Sequence, residues 1–343
     1  MSTAGLAEPH TVRAAVWRGA GQIAIEDWRL PPIGPTDALV RVRRCGLCGS
    51  DLHVLDGDVP EFVPPRVLGH EPLGVIEAVG GAVADYEPGD TVTWEPSLPC
   101  GSCFYCREGE DGLCEQRVPI VGAFSERTVV PERALYRLPA ELPASHGVLT
   151  EPLSCALYAH DRAGVHPGDR VAVIGAGTIG LLLIMLARRA GAEQILVSDP
   201  NPRKRALAQE LGADVVIDPH VERVEKATRH ATGGRGVEVA FEAVGAPAAV
   251  ADALAAPRPG GRVALVGLSS PSASATVPLL GLLRRDLTVH AVWMRKFTFQ
   301  RAVALLSALP LGKIVSHTVA LDEIAEAFAL LRSGEAVKVV VEP

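Results

Sequence analysis

The strongest constraint on the fold is a regular succession of apolar strand runs and helical segments that begins at Arg170. RVAVIGAG ends in glycines, LLLIMLARRAGA is predicted to be a helix that stops at Gly191, and QILVSD starts the next strand. The series continues with RKRALAQELGA, DVVI, VEVAFEAVG, GRVALVGL and LTVHAVW. Nearly continuous apolar strands separated by helices are typical of a parallel sheet covered on both faces. The sequence therefore predicts a doubly wound α/β domain here.

The first half of the chain has a different pattern. Short alternating runs such as VRAAVW, QIAIED, ALVRVRR, PLGVIEAVG and DTVTW lie between residues 12 and 95 and break at Gly and Pro. Such runs predict a rolled or barrel-like β domain. A helical stretch follows at 141–165, and the end of the chain holds a helix with Asp322 as its predicted N-cap, Gly334 just past its end, and the closing strand AVKVVVE. At 343 residues the chain suits two domains.

Composition excludes several classes of protein. Hydrophobic residues make up 48% and charged residues 21% of the chain, which is typical of a globular rather than a disordered protein. A net charge of −7 without a basic tail argues against binding to nucleic acid or anionic lipid. No apolar stretch approaches the roughly 20 residues of a membrane span, and the first residues do not resemble a secretory signal. We therefore expect a cytoplasmic protein that acts on small molecules.

Gly175, Gly177 and Gly180 form a G-x-G-x-x-G motif after a strand and at the opening of a helix. The glycines permit a tight turn and close approach to a pyrophosphate, and the helix N-terminus favours an anion. A glycine-rich strand–helix turn without a ligand is the alternative. Asp199 strengthens the prediction because it ends the second strand, where a carboxylate accepts the ribose hydroxyls of a dinucleotide. The candidate cofactor-binding residues are Gly175, Gly177, Thr178, Ile179, Gly180, Asp199 and Lys204.

The same region bears on the choice between NAD and NADP. Asp199 would repel a 2′-phosphate, so the sequence favours NAD. Arg203, Lys204 and Arg205 follow directly and could hold that phosphate, although they could equally be the solvated first turn of a helix.

Four of the seven cysteines crowd into one loop, as Cys100, Cys103, Cys106 and Cys114. The spacing C-x2-C-x2-C-x7-C suits a closed tetrahedral zinc site whose role is to fold the loop. Disulfides or free thiols are one alternative, and a zinc ribbon that contacts DNA is another. Only Arg107 supplies a cation between the outer cysteines, which argues against DNA. The loop therefore predicts a structural zinc.

A second set of candidate ligands is spread over three segments: Cys48, the pair His70–Glu71, and Glu151. Each alone has an ordinary explanation, since a lone Cys after a strand packs in the core and a His–Glu pair is usually satisfied locally. Together they supply a thiolate, an imidazole and a carboxylate, which suit a zinc ion that keeps one position for water or substrate.

With these motifs the sequence resembles the zinc-containing medium-chain dehydrogenase/reductase superfamily, and most of all its sorbitol, polyol and threonine dehydrogenase branch. GHEPLGVIEAVG at 69–80, the four-cysteine loop and VIGAGTIG at 173–180 match in order and position. The resemblance implies a GroES-like catalytic domain at 1–157, completed by 293–343, and a Rossmann NAD-binding domain at 158–292. It also implies a homo-oligomer, a dimer or tetramer, with zinc, nicotinamide and substrate in the cleft between the domains.

The resemblance further implies roles for individual residues. Cys48 and His70 would ligate the catalytic zinc, with Glu71 or Glu151 completing the shell, and a carboxylate at position 151 points to the polyol branch. Ser50 and His53 would relay the proton released when the alcohol is oxidised, although plain turn chemistry is the alternative for both. Cys45 is the weaker ligand candidate, and Cys155 is predicted to pack.

These features predict a zinc-dependent enzyme that transfers hydride between a secondary alcohol on a polyol, cyclitol or sugar-like molecule and NAD. In the polyol dehydrogenases that the sequence resembles, an Arg often contacts a substrate hydroxyl at the position that Met294 takes here, with Arg295 one position away. The resemblance therefore argues against simple sorbitol specificity. A threonine-type dehydrogenase acting on 3-hydroxy amino acids remains an alternative. A zinc-free enone or quinone reductase would lack the Cys, His and Glu ligands. A non-catalytic scaffold that binds dinucleotide or zinc is the last possibility.

Overall fold

The computed structural model describes residues 10–343. The first nine residues, with which the predicted catalytic domain begins, lie outside the described part. The chain forms two compact units, one made of the residues up to Glu151 together with Phe299–Pro343, the other of Pro152–Thr298. The domain limits expected at 157 and 293 stay predictions.

The first unit is built mainly from β-strands. Its elements are β1 (Thr11–Gly19), β2 (Gln22–Arg29), β3 (Asp37–Leu47), α1 (Gly49–Asp56), β4 (Arg66–Val67), β5 (Glu71–Val79), β6 (Thr91–Trp94), β7 (Ser97–Leu98), α2 (Phe104–Arg107), β8 (Val118–Pro119), β9 (Arg127–Pro131), β10 (Leu135–Arg137) and α3 (Ala144–Gly147). The helix α4 (Thr150–Ala163) contains the boundary with the second unit. Within residues 141–165, where the sequence predicted a helical stretch, the structure has two helices, α3 and α4.

The second unit alternates strands and helices. Its elements are β11 (Arg170–Ile174), α5 (Thr178–Arg189), β12 (Gln194–Ser198), α6 (Pro202–Glu210), β13 (Val215–Ile217), α7 (Val224–Ala231), β14 (Val237–Glu242), α8 (Pro247–Ala255), β15 (Pro257–Leu265), α9 (Leu279–Arg285) and β16 (Thr288–Ala291). The six strands pair in parallel in the order β13-β12-β11-β14-β15-β16. This order reverses at β11, which is the doubly wound arrangement that places a ligand site beyond the carboxyl end of that strand.

The chain then returns to the first unit through α10 (Phe299–Leu305), β17 (Val315–Ala320), α11 (Ile324–Arg332) and β18 (Lys338–Glu342). Asp322 is not the N-cap that the sequence suggested, because it lies inside a 3-10 turn at Leu321–Glu323 that precedes α11. Glu323 caps this turn instead, since its Oε2 accepts the backbone N–H of Ala320 at 2.8 Å. Gly334 follows the helix end with φ +73°, as expected for a helix stop.

The largest sheet of the first unit has the order β10-β6-β5-β3-β18-β17, with β9 also pairing with β3. A smaller sheet, β2-β1-β4, packs its apolar residues into the same core, where Trp17, Trp94 and Phe124 are nearly inaccessible to solvent. Strand β3 lies between β5 and β18, so residues at its carboxyl end meet residues from both neighbours. Among residues 10–343, no helix is both long and apolar enough to cross a membrane.

Candidate metal centres and dinucleotide loop

Four cysteine sulfurs meet in the loop between β7 and β8. The Sγ atoms of Cys100 and Cys106 are 4.0 Å apart, those of Cys103 and Cys106 are 3.5 Å apart, and those of Cys103 and Cys114 are 3.9 Å apart. A tetrahedral zinc with Zn–S bonds of about 2.3 Å holds its sulfurs about 3.8 Å from one another. The distances therefore fit one zinc ion that uses all four thiolates and keeps no open position.

Backbone N–H groups favour thiolates in this loop. The N–H of Cys100 donates to Sγ of Cys114 at 3.2 Å, and the N–H of Cys103 donates to Sγ of Cys100 at 3.3 Å. Hydrogen bonds from the backbone of Ser102 and Cys103 lower the pKa of Cys100 to about 6. Desolvation raises the pKa of Cys106 to about 12, so a metal ion must displace a proton there.

A second group joins the start of α1 to the start of β5. One ligand atom from each of Cys48, His70 and Glu71 lies within 4.8 Å of the other two. Cys48 is the N-cap residue of α1, which follows β3, and β3 pairs antiparallel with β5. The pairing of the two strands brings residue 48 next to residues 70 and 71. Thiolate, imidazole and carboxylate are donors that zinc accepts in sites with an exchangeable position.

Asp51 orients two members of this group. Its Oδ1 accepts Nδ1–H of His70 at 3.2 Å, and its Oδ2 accepts the backbone N–H of Cys48 at 3.0 Å. Because Nδ1 is occupied, Nε2 of His70 is the atom left to bind a metal. Burial alone would lower the pKa of His70, but the charge of Asp51 and its hydrogen bond raise that pKa well above its ordinary value.

A buried ammonium holds Glu71. Nζ of Lys338, the first residue of β18, donates to Oε1 of Glu71 at 2.7 Å, to Oε2 at 2.6 Å, and to the carbonyl oxygen of Leu47 at 3.0 Å. Gly46 lies opposite Glu71 in the register of β3 and β5, and a Cβ at position 46 would come within 2.0 Å of Oε2. The carboxylate therefore fills space that only glycine leaves.

Glu151, the fourth predicted ligand, lies in the first turn of α4 and is buried. Among the described residues it does not belong to the group whose ligand atoms meet within 4.8 Å. Its charge nonetheless acts on the group: burial would lower the pKa of Lys338, and the charges of Glu71, Cys48 and, less strongly, Glu151 raise it. The structure thus brings Cys48, His70 and Glu71 together and leaves Glu151 close to them.

Ser50 and His53 lie one turn apart on α1, so their side chains share a face of the helix. Oγ of Ser50 is 3.3 Å from Nε2 of His70, the nitrogen that faces the metal position. Nδ1 of His53 donates to Oδ2 of Asp58 at 3.1 Å, and the His53 side chain is 24% exposed. A hydroxyl beside the metal position and an imidazole nearer to solvent suit a proton that leaves in two steps.

The glycine motif forms the turn between β11 and α5. Gly175 has φ +99°, a conformation that other residues rarely adopt, and a Cβ at Gly180 would lie 1.8 Å from the carbonyl oxygen of Gly175. Gly177 is the N-cap of α5, and Thr178 and Ile179 open its first turn, half-buried. N–H groups of a first helical turn have no acceptor within the helix and attract an anion.

Asp199 follows β12 directly and lies against this loop. Its Oδ2 accepts the backbone N–H of Ala176 at 2.8 Å, and its Oδ1 accepts the backbone N–H of Asn201 at 2.8 Å. Arg205 donates to the carbonyl oxygen of Asp199 at 2.7 Å and pairs with Asp218 at 2.9 Å. Asp199 is therefore fixed beside the glycine turn, and one of the three nearby cations is already engaged.

Comparisons with known proteins identify the family of this chain. Residues 34–140 match the family described as alcohol dehydrogenase GroES-like domain, and residues 178–308 match the family described as zinc-binding dehydrogenase. L-threonine 3-dehydrogenase of Pyrococcus abyssi is 36% identical over 91% of this chain and 92% of its own length. Sorbitol dehydrogenase of Bacillus subtilis is 32% identical over 98% of each chain. The chain belongs to the zinc-dependent alcohol dehydrogenase family.

Solved structures extend the agreement to the fold of this dehydrogenase. A zinc-binding dehydrogenase from Sinorhizobium meliloti, bound to NADP, is 33% identical, and the match covers 97% of this chain and 100% of that one with a TM-score of 0.93. The expected family, the combination of a GroES-like domain with a Rossmann domain, and the expectation of an enzyme are confirmed. The individual site residues stay predictions.

Sequence reasoning missed two residues of the dehydrogenase site, Asp51 and Lys338. Asp51 stands three residues after Cys48, at the position where an acidic side chain caps a helix start, and this spacing was a usable signal. Lys338 interrupts the apolar run AVKVVV, and a lysine in a buried strand needs a carboxylate partner. The sequence did not reveal that this partner was Glu71.

Proposed function

We propose that this dehydrogenase transfers hydride between a secondary alcohol on a polyol, cyclitol or sugar-like molecule and NAD. The observation that carries the proposal is the buried group of Cys48, His70 and Glu71, whose ligand atoms lie within 4.8 Å of one another, with the Ser50 hydroxyl beside it. Relatives named sorbitol dehydrogenase, L-idonate 5-dehydrogenase and galactitol-1-phosphate dehydrogenase support a polyol-like substrate.

In this proposal Cys48, His70 and a carboxylate hold a catalytic zinc, and the four-cysteine loop holds a structural one. When bound, the catalytic zinc makes an alcohol more acidic and the nicotinamide accepts its hydride. Asp51 fixes the His70 ring so that Nε2 faces the metal position. Ser50 takes the alcohol proton through its hydroxyl, and His53, oriented by Asp58, passes it toward solvent.

NAD is the proposed cofactor, with NADP as the alternative. Asp199, held at the glycine turn, supports NAD because its carboxylate disfavours a 2′-phosphate. Arg205 is engaged by Asp218 and by backbone oxygens, which leaves the exposed Arg203 and the half-buried Lys204 on the first turn of α6 as phosphate candidates. The Sinorhizobium meliloti protein was bound to NADP, so both cofactors belong in the test.

A substrate screen tests the proposal directly. The purified protein is incubated with NAD or NADP and with polyols, cyclitols, amino sugars or 3-hydroxy amino acids, while absorbance of the reduced cofactor is followed. We expect turnover with a polyol or cyclitol and NAD, and more than tenfold lower kcat/KM with NADP. Turnover confined to 3-hydroxy amino acids would replace the substrate class, and no turnover with any secondary alcohol would reject the proposal.

A threonine-type dehydrogenase is the second candidate. The observation that favours it is the 36% identity to L-threonine 3-dehydrogenase of Pyrococcus abyssi. The 3-hydroxy amino acid arm of the screen decides between the two. Met294 and Arg295 lie in the segment where the polyol relatives were expected to offer an Arg to the substrate. Arg295 is buried at 4% exposure and Met294 has φ +57°, so Arg295 is not a solvent-exposed cation.

We also propose a homo-oligomer in the cytoplasm. Strand β16 is the edge of the parallel sheet, and Leu279, Leu280 and Leu283 of the neighbouring α9 are 72%, 59% and 77% exposed. An exposed strand edge beside apolar side chains favours pairing with a second copy. The thiol-rich metal loop favours a reducing compartment. Light scattering of the wild type and of Leu283→Glu tests the assembly, which we expect the charge to weaken.

A further inference from the structure

Glu242 is a buried carboxylate that the proposed chemistry does not use. It is the last residue of β14, its exposed fraction is 1%, and within residues 10–343 it makes no ion pair. Removing a carboxylate from water carries a large free-energy cost unless hydrogen bonds or an opposite charge compensate it. The partners of its side chain in the described part of the chain are two backbone N–H groups.

The two N–H groups belong to the loop that follows β14. Oε1 of Glu242 accepts the backbone N–H of Val244 at 2.7 Å and the backbone N–H of Gly245 at 2.7 Å. Hydrogen bonds to an ionised acceptor are roughly twice as strong as those between neutral groups. One carboxylate oxygen therefore fixes the first residues of this loop.

This loop borders the crevice at the switch point of the parallel sheet. The strand order reverses at β11, and β11 pairs directly with β14, so the loops that follow these two strands lie on either side of the crevice. In open parallel sheets, ligands bind in the crevice at this point. The turn that contains Gly175, Gly177 and Gly180 follows β11 and forms the other border.

The β14 loop packs closely against its neighbours. A Cβ at Gly175 would lie 2.6 Å from Cγ2 of Val244 and 3.2 Å from the carbonyl oxygen of Ala243. Gly245 has φ +82°, and a Cβ there would overlap the carbonyl oxygen of Leu268 in the loop after β15. The β14 loop therefore cannot shift without changing the shape of the crevice.

We propose that Glu242 is a positioning residue for the dinucleotide: its carboxylate holds the β14 loop so that Val244 and Gly245 border the crevice in which the cofactor binds. Val244 is 50% exposed, which leaves an apolar surface for a ligand. The inference rests on the proposed NAD cofactor and deepens it. Glu242 itself is buried and acts on the cofactor through the loop.

The test measures NADH binding by the full-length protein in a fluorescence titration, which needs no turnover. Glu242→Ala removes the acceptor, and we expect the Kd for NADH to rise about tenfold or more. Glu242→Gln keeps an acceptor oxygen and should raise this Kd less than about threefold. In both variants, kcat at saturating cofactor should change less than about threefold, so that the effect appears in the KM for the cofactor.

Amide hydrogen exchange reports the order of the loop directly. The N–H groups of Val244 and Gly245 should exchange slowly in the wild type, because a buried carboxylate accepts both. In Glu242→Ala they should exchange about tenfold or more faster, and in Glu242→Gln they should stay protected.

Glu238 provides a matched control in the same strand. It lies near the opposite end of β14, where its carboxylate pairs with Arg170 and Arg258, each at 2.9 Å. Glu238→Gln should lower the melting temperature because it weakens this pairing. The Kd for NADH should stay within about twofold of the wild type, since the substituted side chain is remote from the loop.

Three results overturn the inference. The first is an unchanged Kd for NADH in a folded Glu242→Ala whose loop exchanges faster. The second is a loss of affinity in Glu238→Gln as large as in Glu242→Ala, and the third is an equal loss in Glu242→Gln. If Glu242→Ala does not fold, Glu242→Asp replaces it, because the shorter side chain draws the acceptor away from the loop. A wild type that binds no dinucleotide rejects the proposed cofactor itself and the inference with it.

Discussion

The two candidate metal centres of the first unit are built in opposite ways. The four-cysteine loop draws all its ligands from residues 100–114, and its sulfurs meet at 3.5–4.0 Å with the help of backbone N–H groups. The Cys48 group draws a thiolate, an imidazole and a carboxylate from two segments that strand pairing brings together. The first centre is half-exposed, and the second is backed by buried Asp51 and Lys338.

This difference shows that the function of a metal site determines which parts of the fold must supply its ligands. A closed site needs only four equivalent donors at short spacing, and a loop supplies them without help from the core. An exchangeable site needs different donors, fixed orientations and compensating charge, and residues of several elements must provide these. The variants below are chosen to affect one centre without the other.

Cys48→Ala should have the largest effect. We expect loss of one of two zinc ions and a fall in turnover on the order of 10³-fold or more, because the catalytic metal lowers the activation barrier by several kcal/mol. Zinc content and cofactor reduction are the measurements. Cys45→Ala is the matched control, since this thiol is fully buried three residues away and should be dispensable for metal. Retention of both zinc ions by Cys48→Ala would contradict the assignment.

Asp51→Asn should weaken metal binding at the Cys48 site by about 10- to 100-fold, because the partner of Nδ1 orients the ligand ring. Chelator competition measures the change. Asp58→Asn, whose side chain contacts His53 instead, should leave the metal affinity unchanged. Equal losses in both variants would mean that Asp51 has no special part in orienting the ligand.

Asp51→Asn should also change how metal affinity at the Cys48 site depends on pH. The charge of Asp51 and its hydrogen bond raise the pKa of His70, so in the metal-free protein the protonated ring persists to a higher pH than in an ordinary histidine. Metal affinity should therefore fall as the pH decreases through that raised pKa. Asn at position 51 lowers the pKa, so the fall should begin at lower pH even though binding at high pH is weaker. Affinities between about pH 6 and 9 check the shift, and an onset at the same pH in both proteins would contradict it.

Cys103→Ser should remove the other zinc ion and act mainly on stability. We expect a melting temperature lowered by several degrees and faster proteolysis within residues 96–118, because the loop loses the ion that closes it. Turnover of the protein that remains folded should change less than about tenfold. Ser102→Ala, which removes only a long contact of 3.7 Å to Sγ of Cys100, is the control. A loss of turnover as large as in Cys48→Ala would mean that the two centres are not independent.

Gly101→Ala should have the smallest effect. Gly101 has φ +76° and open space around its missing Cβ, so alanine there costs about 1 kcal/mol of backbone strain without a clash. Thermal unfolding should show a shift of a few degrees, with zinc content unchanged. A lost zinc ion would show that the loop tolerates less distortion than its exposure indicates.

The sequence was sufficient for the features that depend on local pattern. Spacing alone indicated the four-cysteine loop, and periodicity with the glycine motif indicated the parallel sheet. Helices were expected between these strands, but the residues of α7 to α9 were not assigned, partly because Pro247 and the PRPGG run that opens β15 resemble turn sequences. The prediction of Asp322 as the helix N-cap was wrong because a 3-10 turn precedes the helix, and such turns have no distinct sequence pattern.

The pairing of Lys338 with Glu71 could not be predicted, because 267 residues separate them and register alone decides their contact. That separation also has a consequence in time. While the chain is being synthesised, Cys48, His70 and Glu71 emerge long before Lys338, and β18 reaches its place beside β3 last. Glu71 therefore gains its ion-pair partner only once β18 has paired with β3.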